Sequence, residues 1–174
     1  MKIFSPRSIF KTSITRIQSV SIYIKEDGYL TPRLAAMIPG DELLVSNPYG
    51  SFHCDHSPAY WIATGTGIAP FYSMFQSGLS DQKILIHGAR FLNQFCFEDE
   101  LEWALGDNYI RCCSREVSCN VFPGRITNYL LETNHFPKDY KYYLCGKSLM
   151  VVEVRDLLIS KGISYENIFA EIYF

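Results

Sequence analysis

Thr64-Gly65-Thr66-Gly67 joins an apolar run to a segment with helical character. Glycine leaves the backbone bare, so a ligand can come close, and a helix starting there offers free N–H groups to an anion. The chemistry this suggests is the cradling of a phosphate. Gly65 and Gly67 supply the G-x-G of a dinucleotide fingerprint, but Pro70 stands where its third glycine would be, and a P-loop lysine is absent. Alone, the loop reads equally as a tight turn.

Other reactive residue types fall at similar places. Apolar runs end in His87-Gly88-Ala89-Arg90, in Ser114-Arg115-Glu116, in Cys145-Gly146-Lys147 and in Glu171-Ile172-Tyr173-Phe174. Ligands of open α/β sheets bind at the carboxyl ends of the strands, where all of these sit. Arginine offers a planar fork of donors to phosphate, so Arg115 and Arg125 suit a nucleotide with an extra phosphate, NADP rather than NAD. Without further context they are also ordinary solvated arginines.

The elements that must position these groups alternate. Strands are expected at Tyr60–Ala63, Ile84–His87, Tyr109–Cys113, Tyr142–Cys145 and Ile168–Tyr173. Helices are expected from Pro70, which a first turn tolerates, and over Phe97–Leu105, with acids at its front. Two more are expected, over Ile126–Leu131 and over Ser148–Ser160. In the last of these, Leu149, Val152, Leu157 and Ile159 read as its apolar share, and Lys161-Gly162 ends it. This alternation predicts an α/β fold, a five-stranded parallel sheet wound on both faces. The front of the chain differs. Val20–Lys25 and Glu42–Ser46 read as strands, Thr31–Met37 as a short helix, and turns fall at Glu26-Asp27-Gly28 and Gly40-Asp41. These pieces suit an antiparallel barrel but are too few to close one.

Composition narrows the classes. The chain has 174 residues, 48% hydrophobic and 20% charged, with a net charge of −2. That balance gives no electrostatic case for nucleic acid. No apolar run reaches membrane-span length, and MKIFSPRSIFKTS lacks a signal peptide's continuous apolar stretch, so a cytoplasmic protein is expected. Six cysteines contain no C-x-x-C pair, and most of them read as buried or reduced thiols. His53-Cys54-Asp55-His56 lacks a second ligand pair, and no metal site is expected.

The segments ATGTGIAPF, HGAR, CCSRE, FPGRIT, YYLCG and the terminal EIYF occur in order with suitable gaps. KIFS, GYLT, PGD and PYGSF precede them. Together they resemble the ferredoxin–NADP reductase family of the bacterial type, over essentially the whole chain. The resemblance implies a flavoprotein oxidoreductase that passes electrons between NADPH and ferredoxin or flavodoxin through FAD. It implies a partial FAD-binding barrel domain over residues 1–57 and an NADP-binding domain over 58–174. Lys2, Phe4 and Ser5 match the flavin motif, with lysine where the family has arginine, and Gly28, Leu30 and Thr31 match the segment at the FAD pyrophosphate. Thr64, in the loop with Gly65, Thr66 and Gly67, matches a flavin contact. Ala89, Arg90, Ser114, Arg115 and Arg125 match NADP contacts, and Cys145 and Gly146 match neighbours of the nicotinamide. Glu171 matches a carboxylate near the site of hydride transfer, and Ser5 a hydrogen-bonding group at the flavin. Tyr173 and Phe174 match terminal aromatics that cover the ring. Family members carry further barrel strands ahead of the flavin motif. The chain is therefore expected to be a truncated reductase, with a silent NADP-binding module or a subunit completed by a second chain as alternatives.

Overall fold

A computed structural model describes residues 2–4, 22–24, 28–44 and 50–173, the strands at 2–4 and 22–24 and residue 173 by their backbone. Ser5, Phe174, Glu26-Asp27, Val45-Ser46 and the Pro48-Tyr49 part of the PYGSF segment lie outside the described residues. The chain divides into two units, Met1–Gly50 and Ser51–Phe174.

In the first unit, β1 (Lys2–Phe4) pairs antiparallel with β2 (Ile22–Ile24), Lys2 opposite Ile24. Gly28, at φ +70°, leads into α1 (Leu30–Ala35). Over its described part, Glu42–Leu44, the strand expected at Glu42–Ser46 is not formed: these residues are irregular and Leu44 is fully exposed. A strand needs a partner ladder, and the described pairing of β1 and β2 is with each other.

The second unit runs β3 (Ala59–Thr64), α2 (Ile68–Gln76), β4 (Lys83–Ala89), α3 (Glu98–Leu105), β5 (Tyr109–Cys113) and β6 (Phe122–Pro123). It continues with α4 (Ile126–Glu132), β7 (Lys141–Lys147), α5 (Ser148–Ser160) and β8 (Ile168–Tyr173). The sheet is wholly parallel, in the order β6-β5-β4-β3-β7-β8. All five expected strands are present. The sixth, β6, is a two-residue edge strand, too short to leave a pattern in the sequence.

Both faces of the sheet are covered, which is why β3 and β7 read as unbroken apolar runs. On one face Tyr60, Ile62, Ile86 and Leu144 pack with Leu130 of α4 and with Val154 and Leu158 of α5. On the other, Trp61 stacks on Phe71 of α2 with ring centroids 5.7 Å apart. Cys112 joins the first face, while Cys113 sits in a separate cluster with Phe95 and Val121, as strand alternation requires.

Two expectations about helices are corrected. In α5 the buried residues are Val151, Val154 and Leu158, whereas Leu149, Val152 and Ile159 are 55%, 38% and 42% exposed. Of the expected set only Leu157 packs against the core. SLMVVEVRDLLIS is apolar around most of its circumference, so the sequence supports more than one face, and the sheet selects one. Helix α3 starts one residue later than expected. Phe97 is its left-handed N-cap, at φ 60°, and its ring lies 3.6 Å from that of Tyr72.

Candidate functional site

The chain leaves β3 toward β4, β5 and β6, then returns to β7 on the other side of β3. The ends of β3 and β7 therefore flank a topological switch point, where α/β sheets open a crevice. Thr64 ends β3 and lies opposite Gly88 of β4. Cys145, in β7, pairs with Ala63 on one side and with Glu171 on the other. The structure thus gathers Thr64-Gly65-Thr66-Gly67, Cys145-Gly146 and Glu171 at the ends of three adjacent strands.

Two glycines make this approach possible. A Cβ on Gly67 would lie 2.2 Å from the Cys145 carbonyl oxygen, and one on Gly146, at φ +141°, would lie 2.4 Å from Thr64 Oγ1. Gly65 differs. It is left-handed at φ +56° with no atom of the described residues within 4 Å of its Cβ position, so its backbone is open on that side among them. Thr64 Oγ1 is buried without a hydrogen-bond partner among the described residues. A buried hydroxyl left without a partner is costly, so a polar group from beyond the described residues would be favoured there. Cys145 is fully buried, Glu171 is half-buried, and all six cysteines are free of disulfides.

Further along the same edge, Arg90 follows β4, Ser114 and Arg115 follow β5, and Arg125 caps α4 just after β6. Backbone bonds hold these loops together. The Ser114 amide donates to the Ala89 carbonyl at 3.1 Å, Arg115 to Arg90 at 3.0 Å, and Gly124 to Cys113 at 2.8 Å. Among the described residues no carboxylate pairs with the guanidinium of Arg90, Arg115 or Arg125. Arg111, on the same strand as the Ser114 loop, is instead buried and paired with Glu98 and, at 3.2 Å, with Glu102.

His87 does not belong to this edge, contrary to its reading as a strand-end polar group. It is fully buried, its Nδ1 is 3.0 Å from the Tyr109 hydroxyl, and Phe95 lies edge-on to its ring. Burial pushes its pKa down to about 3, so the imidazole is neutral near pH 7. Asp55 of the His-Cys-Asp-His turn is committed to Lys141, at 2.6 Å, and to Ser57, and these bonds hold its carboxyl below the usual range.

The remaining sequence candidates lie elsewhere in the chain. Lys2 and Phe4 are in β1, Gly28 is in a turn, and Leu30 and Thr31 open α1, all within the first unit. Tyr173 ends β8 opposite Lys147. In the sequence Glu116 stands only as the last of the strand-end group Ser114-Arg115-Glu116. Its carboxylate in fact accepts the Leu92 amide at 2.6 Å, a contact across 24 positions that no local pattern encodes.

The model of the oxidoreductase NAD-binding domain family matches residues 61–156. The chain is 32% identical to a ferredoxin–NADP reductase of Pseudomonas aeruginosa, over 79% of this chain and 64% of that protein. It is 34% identical to a subunit of the Na(+)-translocating NADH-quinone reductase of Psychrobacter cryohalolentis, over 75% of this chain and 36% of that protein. Its fold superposes on a flavohemoglobin of Malassezia yamatoensis, solved with bound FAD and heme, with a TM-score of 0.74 at 22% identity. That match covers 96% of this chain and 46% of the other. The chain belongs to the oxidoreductase NAD-binding domain family, and ferredoxin–NADP reductases are among its relatives. It spans between about a third and two thirds of the length of these curated relatives.

Proposed function

We propose that the second unit binds NADP(H), and that the chain serves a FAD-dependent oxidoreductase passing electrons between NADPH and ferredoxin or flavodoxin. The observation that carries the nucleotide part is the set of guanidinium groups without carboxylate partners among the described residues, Arg90, Arg115 and Arg125, on the sheet edge that also bears the open Gly65 loop. The residues suit a pyridine dinucleotide. Open backbone at Gly65 and the unsatisfied Thr64 hydroxyl suit its central part, and the arginines suit a 2′-phosphate. Cys145, Gly146 and Glu171 then stand beside the nicotinamide end, where Glu171 orients rather than attacks.

The flavin part rests on kinship, and the left-handed backbone of Gly28, at φ +70°, is of the kind that a close approach to a pyrophosphate uses. Lys2, Phe4, Gly28, Leu30 and Thr31 of the first unit would hold FAD. FAD held there would supply the exchange of electrons in pairs with a nicotinamide and singly with a ferredoxin.

Titration of the full chain with NADP+ and NAD+ tests the nucleotide reading. Arg115→Ala is expected to weaken NADP+ by about 10- to 100-fold, the range of a charge-assisted hydrogen bond, and to leave NAD+ unchanged. Equal loss for both nucleotides overturns it. A preference for NADH is the second reading, favoured by the name of the Psychrobacter relative, and NAD+ binding the tighter of the two would establish it. Flavin absorbance of the purified chain tests the other half. Colourless protein that still binds NADP+ would make it a nucleotide-binding module without FAD.

A further inference from the structure

Where β4 and β5 end, their ladder continues through the loops. After the Ser114–Ala89 and Arg115–Arg90 bonds, the next rung joins the Leu92 amide to a side chain, the Glu116 carboxylate, at 2.6 Å. The Cys113 thiol donates to the Arg90 carbonyl at 3.3 Å, and the Arg90 amide donates to Gln94 Oε1 at 3.2 Å. Between the last two rungs lies Phe91, with the Arg115 guanidinium 5.9 Å from its ring centre. Arg90, Ser114 and Arg115 therefore hang from one two-loop clip, and Glu116 closes it.

A carboxylate next to an arginine is adverse in a site for phosphate, because like charges repel. Its bond to a backbone amide gives it a reason to be there. We propose that Glu116 is a positioning residue for the 2′-phosphate of the dinucleotide: by anchoring the Leu92 amide it fixes the 90–92 loop against 114–116 and so presents Arg90 and Arg115 at one spacing. This rests on the nucleotide reading given above. Without the tie, the loop must be ordered by the ligand, and affinity falls by that ordering cost. Coulomb's law alone predicts the opposite sign, since removing a negative charge favours an anion.

The sign of one substitution therefore decides. Calorimetric titration of the full chain would use adenosine 2′,5′-bisphosphate, with adenosine 5′-monophosphate as the control lacking the 2′-phosphate. Glu116→Ala is expected to weaken the bisphosphate about tenfold and the monophosphate less than about twofold, the difference being the ordering of the phosphate loop. Glu116→Gln, whose amide oxygen still accepts the Leu92 N–H, is expected to bind the bisphosphate at least as tightly as the parent chain. Hydrogen exchange of the Leu92 amide should speed up in Glu116→Ala and not in Glu116→Gln, a readout independent of any ligand. Bisphosphate affinity in Glu116→Ala equal to or above the parent overturns the proposal, as does equal loss of both ligands. Failure of the parent chain to bind either nucleotide overturns the nucleotide reading and this proposal with it. Parent binding with an indifferent Glu116→Ala removes this proposal alone.

Discussion

Arginines in this chain meet two different fates. Arg111 is held in the packed interior and its charge is answered by two carboxylates of α3, whereas Arg90, Arg115 and Arg125 are exposed and have no carboxylate partner among the described residues. Burying a charge demands a partner, so a paired arginine is explained by the fold, and those without a carboxylate on one edge are available to a ligand. Glycines divide in the same way. Gly67→Ala would drive a Cβ into the Cys145 carbonyl and is expected to cost about 1–3 kcal/mol, the range for overpacking. Gly65→Ala meets no atom and is expected to cost about 1 kcal/mol, from its left-handed backbone alone. Urea unfolding midpoints compare the two. His87 sets a pH dependence. Burial holds its folded pKa at about 3, below the ordinary 6.5, so between those values the unfolded chain takes up a proton that the folded chain excludes. Stability is complete above pH 6.5 and falls as the pH drops toward 3, by about 2 kcal/mol between pH 6.5 and 5. His87→Gln should flatten that slope in urea titrations at the two pH values; an unchanged slope would place the titrating group elsewhere.

At the scale of elements, the packing of α5 separates what a helix prefers from what the sheet selects. Leu158 is fully buried among Tyr60, Ile62 and Leu144, while Leu149 stands 55% exposed. Leu158→Ala is therefore expected to destabilise by about 2–5 kcal/mol. Leu149→Ala should change stability by less than about 0.5 kcal/mol. Chemical denaturation of both variants checks the assignment, and the reverse order would restore the face expected from the sequence. Local signals placed the ends of this helix correctly, because Lys161-Gly162 stops it without reference to anything distant. Its buried face was not legible, since apolar residues occur on nearly every side. The short β6 is the converse: its two residues become a strand only because β5 lies beside them.

For the molecule as a whole, the parallel sheet and its helices form a unit of their own, Ser51–Phe174. Phe52 belongs to that unit, with its ring 5.9 Å from Phe71 and 5.7 Å from Tyr143, and Asp55 bridges to Lys141. A fragment of residues 51–174 is expected to unfold in one cooperative transition and to bind NADP+ as tightly as the full chain. Circular dichroism melts and calorimetry would show this, and a fragment without a cooperative transition would make the first unit part of the same fold. No helix among the described residues is long and apolar enough to cross a membrane.

The sequence by itself determined the class of fold, because strands covered on both faces leave continuous apolar runs and helix ends carry their own stop signals. It also placed the reactive residue types at the strand ends, since those positions follow directly from where each run stops. Only the tertiary structure decided which of these groups meet. The return of the chain to β7 sets Cys145 and Gly146 against Thr64 and Gly67, across some 80 positions of sequence. Likewise it turned His87 inward and joined Glu116 to Leu92. Such pairings arise from strand order and side-chain packing between distant segments, and local periodicity carries no record of either.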